Sequence, residues 1–356
     1  MKTLYPLELP SVDFEHIQKG IVENLEALRN SKMLITGASG FIGLWMMETL
    51  IWLNIKQKLN IDIYVVVRNS ISFKKIITSW SQSQIKIIEG DLSTMIIQPD
   101  NYKYIIHLAS EPIKNNDNGT FFHHMSKSVA AANNLISLAK ICETESILFT
   151  SSGAVYGDYL GLHSTTRPFK ENIQSIEHIF NEKAIYAETK RYIELLFSTA
   201  SSNYNFKIKI ARCFSFVGPL LPLTGNYAIG NFIYDVLNGH DLVIKGDGRP
   251  LRSYLYISDL IKFLLLILLE GRANIPYNVG SPQTVSIAEV AKMINNLSGS
   301  KSRLCIANIE KIVGAGDAYI PDLRNIKNDF NLNNIINLED AIIRTLEWYK
   351  RSHVFK

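Results

Sequence analysis

Short apolar runs alternate with longer amphipathic segments through the first part of the chain. The apolar runs show no hydrophobic–polar alternation, which is typical of parallel strands that are buried on both faces. They lie at residues 32–36, 61–67, 85–88, 104–108 and 146–150. Helical patterns fill the segments between them, beginning with Phe41 to Leu53. Strands that alternate with helices in this way predict an α/β fold, a Rossmann-like doubly wound parallel sheet.

The two ends of the chain have a different texture. Before the first strand, apolar residues at spacings of three and four predict an appended helix over residues 11–30. After about residue 215, Gly, Pro and Asn become frequent and shorter elements follow, ending in a helix over residues 338–351. We therefore predict an N-terminal helical extension (1–30), a sheet domain (31–215) and a smaller C-terminal α/β lobe (216–356). Some segments of the lobe are expected to return to the sheet domain.

Composition limits the protein to an ordinary globular class. Apolar residues make up 47% of the chain and charged residues 20%, which excludes wholesale disorder. The net charge of +4 gives no sign of binding to nucleic acid or a membrane. The three cysteines fit neither a disulfide framework nor a metal site, and the N-terminus has no apolar signal segment. We predict a cytoplasmic protein without a metal, and a solvated helix face for the tandem His123-His124.

A glycine-rich turn joins the first predicted strand to the first long helix. It reads Gly37-Ala38-Ser39-Gly40-Phe41-Ile42-Gly43. Glycines are needed where a chain turns tightly and a pyrophosphate approaches the amides at a helix N-terminus. A glycine-rich loop without a ligand is the alternative, but the position between strand and helix favours a dinucleotide site. Its predicted contacts are Gly37, Ser39, Gly40, Phe41, Ile42 and Gly43.

The end of the second strand bears on the choice of cofactor. NAD sites usually carry an acidic residue there, hydrogen-bonded to the ribose 2′-hydroxyl. This chain has Arg68 instead. A guanidinium suits a 2′-phosphate better than a hydroxyl, so the cofactor is predicted to be NAD(P)(H) with a preference for NADP. A solvated arginine at a strand end is the alternative.

Ser152, Tyr186 and Lys190 form the candidate catalytic set. Ser152 follows the fifth strand, and the Y-x-x-x-K spacing puts Tyr186 and Lys190 on one helix face. A phenol is a poor base at neutral pH, but a nearby ammonium stabilises its phenolate. Lys190 can also hold the ribose of the cofactor, while the Ser152 hydroxyl hydrogen-bonds the reacting oxygen.

Together with these motifs, the chain resembles extended short-chain dehydrogenase/reductases, specifically the NAD-dependent epimerase/dehydratase family that modifies nucleotide sugars. The resemblance spans residues 32–350. Further motifs that carry it are Gly90-Asp91-Leu92, His107-Leu108-Ala109, the S-S-x-x-V-Y-G segment from Ser151, Arg212 to Pro219, Gly246-Asp247-Gly248, Arg252-Ser253-Tyr254 and Tyr277 to Gly280.

The resemblance implies roles for further residues. Asp91 and Leu92 would contact the adenine. Leu108, Ala109 and Ser110 would line the cofactor cleft, and Phe214 would lie near the nicotinamide. Arg252 would grip the diphosphate of a nucleotide-diphosphate sugar. Asn231 would add a substrate contact, and Ser215 stands where relatives usually have an asparagine. The resemblance also implies a homodimer formed through the helix of Tyr186 and the helix before it, where Ile193, Leu196 and Phe197 serve either the interface or the core.

Gly153 and Ala154 direct the choice of reaction. Dehydratases and decarboxylases of the resembled family place an acidic residue in the two positions after the catalytic serine or threonine. Neither Gly153 nor Ala154 carries a proton, which favours an epimerase or a 4-ketoreductase. A 4,6-dehydratase is the alternative, because Asp158, Glu171, Glu177 or Glu182 could supply the acid. A second alternative is a non-catalytic NAD(P)-binding sensor on the same fold.

Overall fold

The computed structural model describes residues 8–110, 120–157, 168–172, 184–225, 227–307, 318–330 and 332–352. The helices are α1 (Ser11–Gly20), α2 (Phe41–Gln57), α3 (Ser70–Lys74), α4 (Ser79–Ser83), α5 (Thr120–Ile141), α6 (Ala184–Asn203), α7 (Ala228–Leu237), α8 (Ile257–Glu270), α9 (Ile287–Ser298), α10 (Arg324–Asp329) and α11 (Leu338–Arg351). Turns of 3-10 helix lie at Val22–Leu28 and Gly153–Tyr156.

The strands are β1 (Lys32–Thr36), β2 (Asp62–Val67), β3 (Ile85–Glu89), β4 (Tyr104–His107), β5 (Ser146–Ser152), β6 (Lys207–Cys213), β7 (Ser215–Val217), β8 (Leu242–Ile244), β9 (Leu251–Tyr256), β10 (Pro276–Val279), β11 (Thr284–Ser286), β12 (Leu304–Ile306) and β13 (Ala318–Tyr319). Within the described ranges, seven of them form a parallel sheet in the order β3-β2-β1-β4-β5-β6-β10. This confirms the predicted Rossmann-like α/β fold.

Both faces of this sheet are covered by helices, as the lack of alternation in its strands requires. Along β1, Leu34 packs with residues of α5 and α6, while its neighbours Met33 and Ile35 pack with α2 and α8. Burying one such aliphatic side chain contributes about 1.5–3 kcal/mol to folding. Strands β4 and β5 are accordingly buried along their whole length, whereas the edge strand β3 exposes Lys86 and Glu89.

A smaller sheet stands beyond the carboxyl end of β6. Strand β9 is its centre: β11 pairs with β9 in antiparallel orientation, and β13 and β7 pair with it in parallel. Strand β10, from the C-terminal part of the chain, joins the large sheet beside β6. The division of the chain at residues 215 and 216 remains a prediction.

The N-terminal extension differs from the single predicted helix. Helix α1 ends at Gly20, and a 3-10 turn follows Ile21. The buried carboxylate of Asp13 accepts hydrogen bonds from Tyr256 Oη (2.7 Å) and Arg344 Nη1 (2.6 Å). These bonds tie the extension to β9 and α11, both from the C-terminal part of the chain. In the described part of the chain, no helix is long and apolar enough to span a bilayer.

Candidate active site

The glycine-rich turn begins where the strand order of the large sheet reverses. Strand β1 lies between β2 and β4, so the chain departs in opposite directions on either side of it. Gly37 has a φ of +76°, and a Cβ there would stand 2.5 Å from the amide nitrogen of Ala109. A Cβ at Gly43 would collide with the carbonyl oxygen of Gly37. Both positions therefore require glycine, and the turn lies directly against the end of β4.

A cavity of about 890 Å³ opens at this switch point. Ligands of open α/β sheets bind in such crevices, outside the carboxyl ends of the strands. The N-terminus of α2 faces it with no side-chain cap at Gly40 and no acidic residue in the first turn. The cradle thus fits the pyrophosphate of a dinucleotide, because uncapped amides and the helix dipole both favour a negative charge.

The three candidate catalytic residues line the same cavity. Ser152 is the last residue of β5, and its Oγ accepts a hydrogen bond from the amide of Ala154 at 3.1 Å. Tyr186 and Lys190 lie one turn apart on α6. The Lys190 ammonium is buried, donates to the carbonyl oxygen of Thr150 at 2.9 Å and lies 4.9 Å from the centre of the Phe149 ring.

Burial governs the protonation of this set. It raises the pKa of Tyr186 to about 12, while the hydrogen bond between Tyr186 and Ser152 acts in the opposite direction. It lowers the pKa of Lys190 to about 8. At neutral pH the resting pair is thus a neutral phenol and an ammonium. The phenol can donate a proton at once, but it needs support from its neighbours before it can accept one.

The other residues predicted to bind the cofactor also line the cavity. They are Gly37, Ser39, Gly40, Phe41, Ile42, Gly43, Arg68, Asp91, Leu92, Leu108, Ala109, Ser110 and Phe214. Asp91 Oδ1 accepts from the amide (2.9 Å) and hydroxyl (2.7 Å) of Ser93, which lowers the pKa of its carboxyl. Lys127 Nζ donates to the other oxygen of Asp91 at 3.2 Å.

Two of the three residues predicted to bind substrate face the cavity. Ser215 and Arg252 line it, on β7 and β9. Asn231 does not, and its side-chain amide donates to the carbonyl oxygen of Gly225 at 3.0 Å. The substrate contact expected of Asn231 remains a prediction, and in this structure its side chain is bonded to the turn before α7.

Two cavity residues escaped the sequence analysis. His124 is only 1% exposed, and its ring centre lies 5.8 Å from that of Tyr186, so the predicted solvated position of His124 is wrong. His124, Lys127, Ser128 and Ala131 share one face of α5 and line the cavity, and this spacing in the sequence could have indicated a buried position for His124. Tyr319 reaches the cavity from β13, and its ring centre lies 4.7 Å from that of Phe214. No motif near Tyr319 in the sequence predicts that its side chain reaches the cavity.

The sequence and the fold of this chain resemble those of known proteins. The model of the NAD dependent epimerase/dehydratase family matches residues 33–280. The chain belongs to this family. The match confirms the predicted membership, and the family is one of enzymes.

Individual relatives are more distant. UDP-glucuronic acid decarboxylase 1 of Xenopus tropicalis is 25% identical over 332 residues, which cover 93% of this chain and 75% of that protein. A UDP-N-acetylglucosamine 4-epimerase from Methanobrevibacter ruminantium has a similar structure, with a TM-score of 0.75 and 21% identity over 91% of this chain and 99% of that one. So does a dTDP-glucose 4,6-dehydratase from Bacillus anthracis in complex with NAD, with a TM-score of 0.73 and 20% identity over 90% and 97% of the two chains. The named reactions of these relatives all modify nucleotide sugars, in agreement with the predicted class of enzyme.

Proposed function

We propose that this family member is a nucleotide-sugar epimerase or 4-ketoreductase that uses a nicotinamide dinucleotide, with Tyr186 as its acid and base. The observation that carries the proposal is one cavity lined both by the glycine-rich turn and by Ser152, Tyr186 and Lys190. A dinucleotide held on the turn and a sugar held beside Tyr186 would share this space. Epimerases, decarboxylases and a dehydratase among the relatives support the general class.

Each end of the cofactor has candidate contacts. The amides of Phe41 and Ile42 at the start of α2 would hold the pyrophosphate. Asp91 and Leu92 would hold the adenine end, while Lys190 and Phe214 would contact the nicotinamide end. When bound, the dinucleotide supplies the redox chemistry, and the protein supplies orientation and proton transfer.

Tyr186 would accept or donate the proton of the reacting sugar oxygen. For oxidation its phenolate accepts the hydroxyl proton, and for reduction the phenol returns a proton to the ketone oxygen. The Lys190 ammonium stabilises the phenolate, and its pKa of about 8 keeps it charged at neutral pH. Ser152 donates a hydrogen bond to the same oxygen. The oxidising direction should therefore need both a deprotonated Tyr186 and a protonated Lys190.

Arg252 is the candidate for holding the substrate diphosphate. Its side chain lies on β9, paired by register with Tyr319 of β13, with the guanidinium carbon 5.9 Å from the centre of the Tyr319 ring. A guanidinium forms charge-assisted and often bidentate hydrogen bonds with phosphate oxygens. Ser215 lies in the same part of the cavity and can add a hydroxyl.

The residues after Ser152 favour reactions without elimination. A Cβ on Gly153 would stand 2.6 Å from the Tyr319 hydroxyl, so an acidic side chain at 153 would need Tyr319 to move. Glu171 is occupied outside the cavity, where its carboxylate accepts from the amide of Asn278 at 3.2 Å. Asp158, Glu177 and Glu182 lie outside the described residues. An epimerase or reductase needs no further acid, whereas a dehydratase or decarboxylase does.

We also propose a preference for NADP, which rests on Arg68. This side chain is exposed at the end of β2 and lines the cavity where a ribose phosphate would lie. NAD is the cofactor bound in the dehydratase relative, so the two dinucleotides must be compared directly. We expect a lower dissociation constant for NADP, measured by calorimetry. Tighter binding of NAD would contradict the role of Arg68.

A homodimer through α5 and α6 is proposed as well, and the cytoplasm as its location. These helices pack against each other. Ile193 and Phe197 are buried in the core, and Leu196 packs against it. The exposed large apolar residues on the same helices are Phe122, Met125, Ile141, Tyr192 and Leu195, of which Phe122 is 75% exposed and Leu195 64%. Light scattering should give twice the chain mass of 40.3 kDa.

The decisive experiment is a product assay with a panel of UDP-, GDP-, CDP- and dTDP-sugars, with NAD and NADP offered separately. Mass spectrometry should show an unchanged mass in a new chromatographic peak for an epimerase, or a gain of two hydrogens from a ketosugar for a reductase. Loss of water or of carbon dioxide would contradict the argument from Gly153 and Ala154.

Tyr186→Phe is the matched variant. It should lose turnover by about 100-fold or more, because general acid–base catalysis is removed, while the dinucleotide still binds. A Tyr186→Phe protein that turns over normally would contradict the role of Tyr186. A wild-type protein that binds the dinucleotide but turns over no sugar of the panel would favour the sensor.

A further inference from the structure

The N-terminal extension lies outside the part of the chain that the family model matches, which begins at residue 33. Helix α1 of this extension nevertheless carries a buried carboxylate, Asp13. Burial raises the pKa of Asp13, while its bonds from Tyr256 and Arg344 act in the opposite direction. Burying a carboxylate is unfavourable unless it is paired and hydrogen-bonded, so the position of Asp13 depends on these two partners.

Asp13 joins two elements of the C-terminal part of the chain. Its Oδ2 accepts from Tyr256 Oη at 2.7 Å, and its Oδ1 accepts from Arg344 Nη1 of α11 at 2.6 Å. Tyr256 is the last residue of β9 and is fully buried, so water does not reach its hydroxyl. The end of β9 is therefore held by a residue of the extension.

A second buried carboxylate holds the extension at the same junction. Asp259 stands in the first turn of α8, which follows β9 directly. Its Oδ1 lies 2.8 Å from His16 Nε2 of α1 and accepts from Lys262 at 2.6 Å, and its Oδ2 accepts from the amide of Ile336 at 2.9 Å. Two buried carboxylates thus fix α1 to the junction between β9 and α8.

The extension is also anchored on the helix that begins at the glycine-rich turn. Phe14 packs on two tryptophans of α2, with its ring centre 5.8 Å from that of Trp45 and 5.9 Å from that of Trp52. Trp45 in turn donates from Nε1 to the carbonyl oxygen of Pro219, just after β7, at 2.8 Å. The neighbours Asp13 and Phe14 therefore connect β9 to the helix whose first turn faces the dinucleotide cavity.

Strand β9 carries side chains that face the cavity. Arg252 and Tyr254 lie on this strand and line the cavity, and Tyr254 pairs by register with Ser215 of β7. Tyr256 follows two residues after Tyr254 on the same strand. A bond that fixes Tyr256 thus limits how far Arg252 can move relative to α2.

We propose that Asp13 is a positioning residue. From an extension anchored on α2 it holds Tyr256, and it thereby keeps β9 and Arg252 in a fixed place relative to the bound dinucleotide. The contact of Arg252 with a diphosphate rests on the proposed function, whereas the hold on β9 does not. Residues 8–30 line no part of the cavity, so their effect on a ligand is transmitted through β9.

Tyr256→Phe tests the proposal, because it removes only the hydroxyl that donates to Asp13 and keeps the ring. The first measurement is hydrogen exchange of the β9 amides in the protein without ligand. We expect exchange to become about tenfold faster, which corresponds to the loss of one hydrogen bond to a charged group. Asp13→Ala removes the same bond from the side of the extension, and it provides a second route should Tyr256→Phe fold poorly.

The second measurement is ligand affinity, by calorimetry with NAD bound. The probe is whichever of UDP, GDP, CDP and dTDP the wild type binds most tightly, because each offers a diphosphate without turnover. In Tyr256→Phe its dissociation constant should rise by about fivefold, since a misplaced Arg252 keeps only part of its charge-assisted hydrogen bonds. The dissociation constant of NAD should not change. A merely structural role would lower the free energy of unfolding and leave both constants as they are.

Thr144→Val is the matched control. The buried Thr144 hydroxyl donates to the carbonyl oxygen of Tyr102 at 2.9 Å, just before β5 and outside the cavity. Its loss should lower the free energy of unfolding as well. Exchange in β9 and affinity for the nucleoside diphosphate should nevertheless equal those of the wild type.

The outcomes separate this proposal from the proposed function. Unchanged exchange of the β9 amides in both Tyr256→Phe and Asp13→Ala would overturn the role of Asp13. Faster exchange with an unchanged affinity for the nucleoside diphosphate would overturn it too, because β9 would then be held without positioning Arg252. A wild-type protein that binds none of the four nucleoside diphosphates would count against the proposed function, and exchange in β9 would still decide whether Asp13 holds the strand.

Discussion

The two ends of the cavity are built in different ways. The dinucleotide end is made by neighbours in sequence, since β1, the glycine-rich turn and the start of α2 follow one another. The end proposed for the substrate is made by Ser215, Arg252 and Tyr319, which pairing among β7, β9 and β13 brings together. Local chemistry specifies the first end, and long-range strand pairing specifies the second. A single substitution is therefore expected to have different effects at the two ends.

Glycines show the contrast most directly. At the dinucleotide end, Gly37 and Gly43 are enclosed by backbone atoms that cannot move without shifting a strand or helix. In the smaller lobe, a Cβ on Gly246 would meet no heavy atom within 4 Å. The first glycines are required by packing, and Gly246 marks a turn with room around it.

The largest effect is expected from Gly43→Ala. The added methyl would collide with the Gly37 carbonyl and displace the first turn of α2, so the amides that would hold the pyrophosphate lose their alignment. Dinucleotide affinity should fall by about 100-fold, measured by calorimetry. Gly246→Ala is the matched control and should bind normally. Equal affinities for the two variants would mean that the turn does not hold the cofactor.

The same contrast explains what the sequence could predict. Apolar runs predicted β1 to β5 nearly to their ends, because the central positions of these strands are mostly apolar and buried. The turn at Gly37 and the spacing from Tyr186 to Lys190 could be recognised in the sequence, because each pattern involves residues that are close together in the chain. The position of Tyr319 depends on β13 pairing with β9, and no local pattern encodes such pairing.

Helix faces form an intermediate case. His124 and Lys127 share a face of α5 with Ser128 and Ala131, so the periodicity was present. Which face looks into the cavity follows from the packing of α5 on α6 and the sheet, which a single helix does not reveal. Asn231 is a case of the opposite kind, because the resemblance assigns it a substrate contact, whereas in this structure its side-chain amide donates to Gly225.

At the substrate end, Arg252→Met should weaken substrate binding alone. Loss of charge-assisted hydrogen bonds to a diphosphate costs about 1.5–3 kcal/mol, or roughly a 10–100-fold rise in KM. Dinucleotide affinity should not change, because the glycine-rich turn is untouched. Arg249→Met is the control, because Arg249 lies just before β9 and does not line the cavity. A matching loss of dinucleotide affinity in Arg252→Met would show that the two ends are not independent.

The smallest effect concerns pH and His107, at the end of β4 beneath the dinucleotide end. Its Nδ1 lies 2.7 Å from Thr36 Oγ1. Burial lowers the pKa of its imidazole to about 3, and the positive charge of Lys190 contributes to the same shift. The unfolded chain takes up this proton below about pH 6.5, whereas the folded chain does not. Stability from His107 is thus complete above pH 6.5 and is lost as the pH falls toward 3, at about 1.4 kcal/mol per pH unit.

His107→Asn tests this expectation by urea unfolding between pH 7 and 5. Its free energy of unfolding should decline less steeply with falling pH than that of the wild type. His240→Asn, at an exposed position of the smaller lobe, is the control for replacing a histidine outside the core. An identical slope in His107→Asn would mean that His107 takes up its proton in the folded protein as easily as in the unfolded chain.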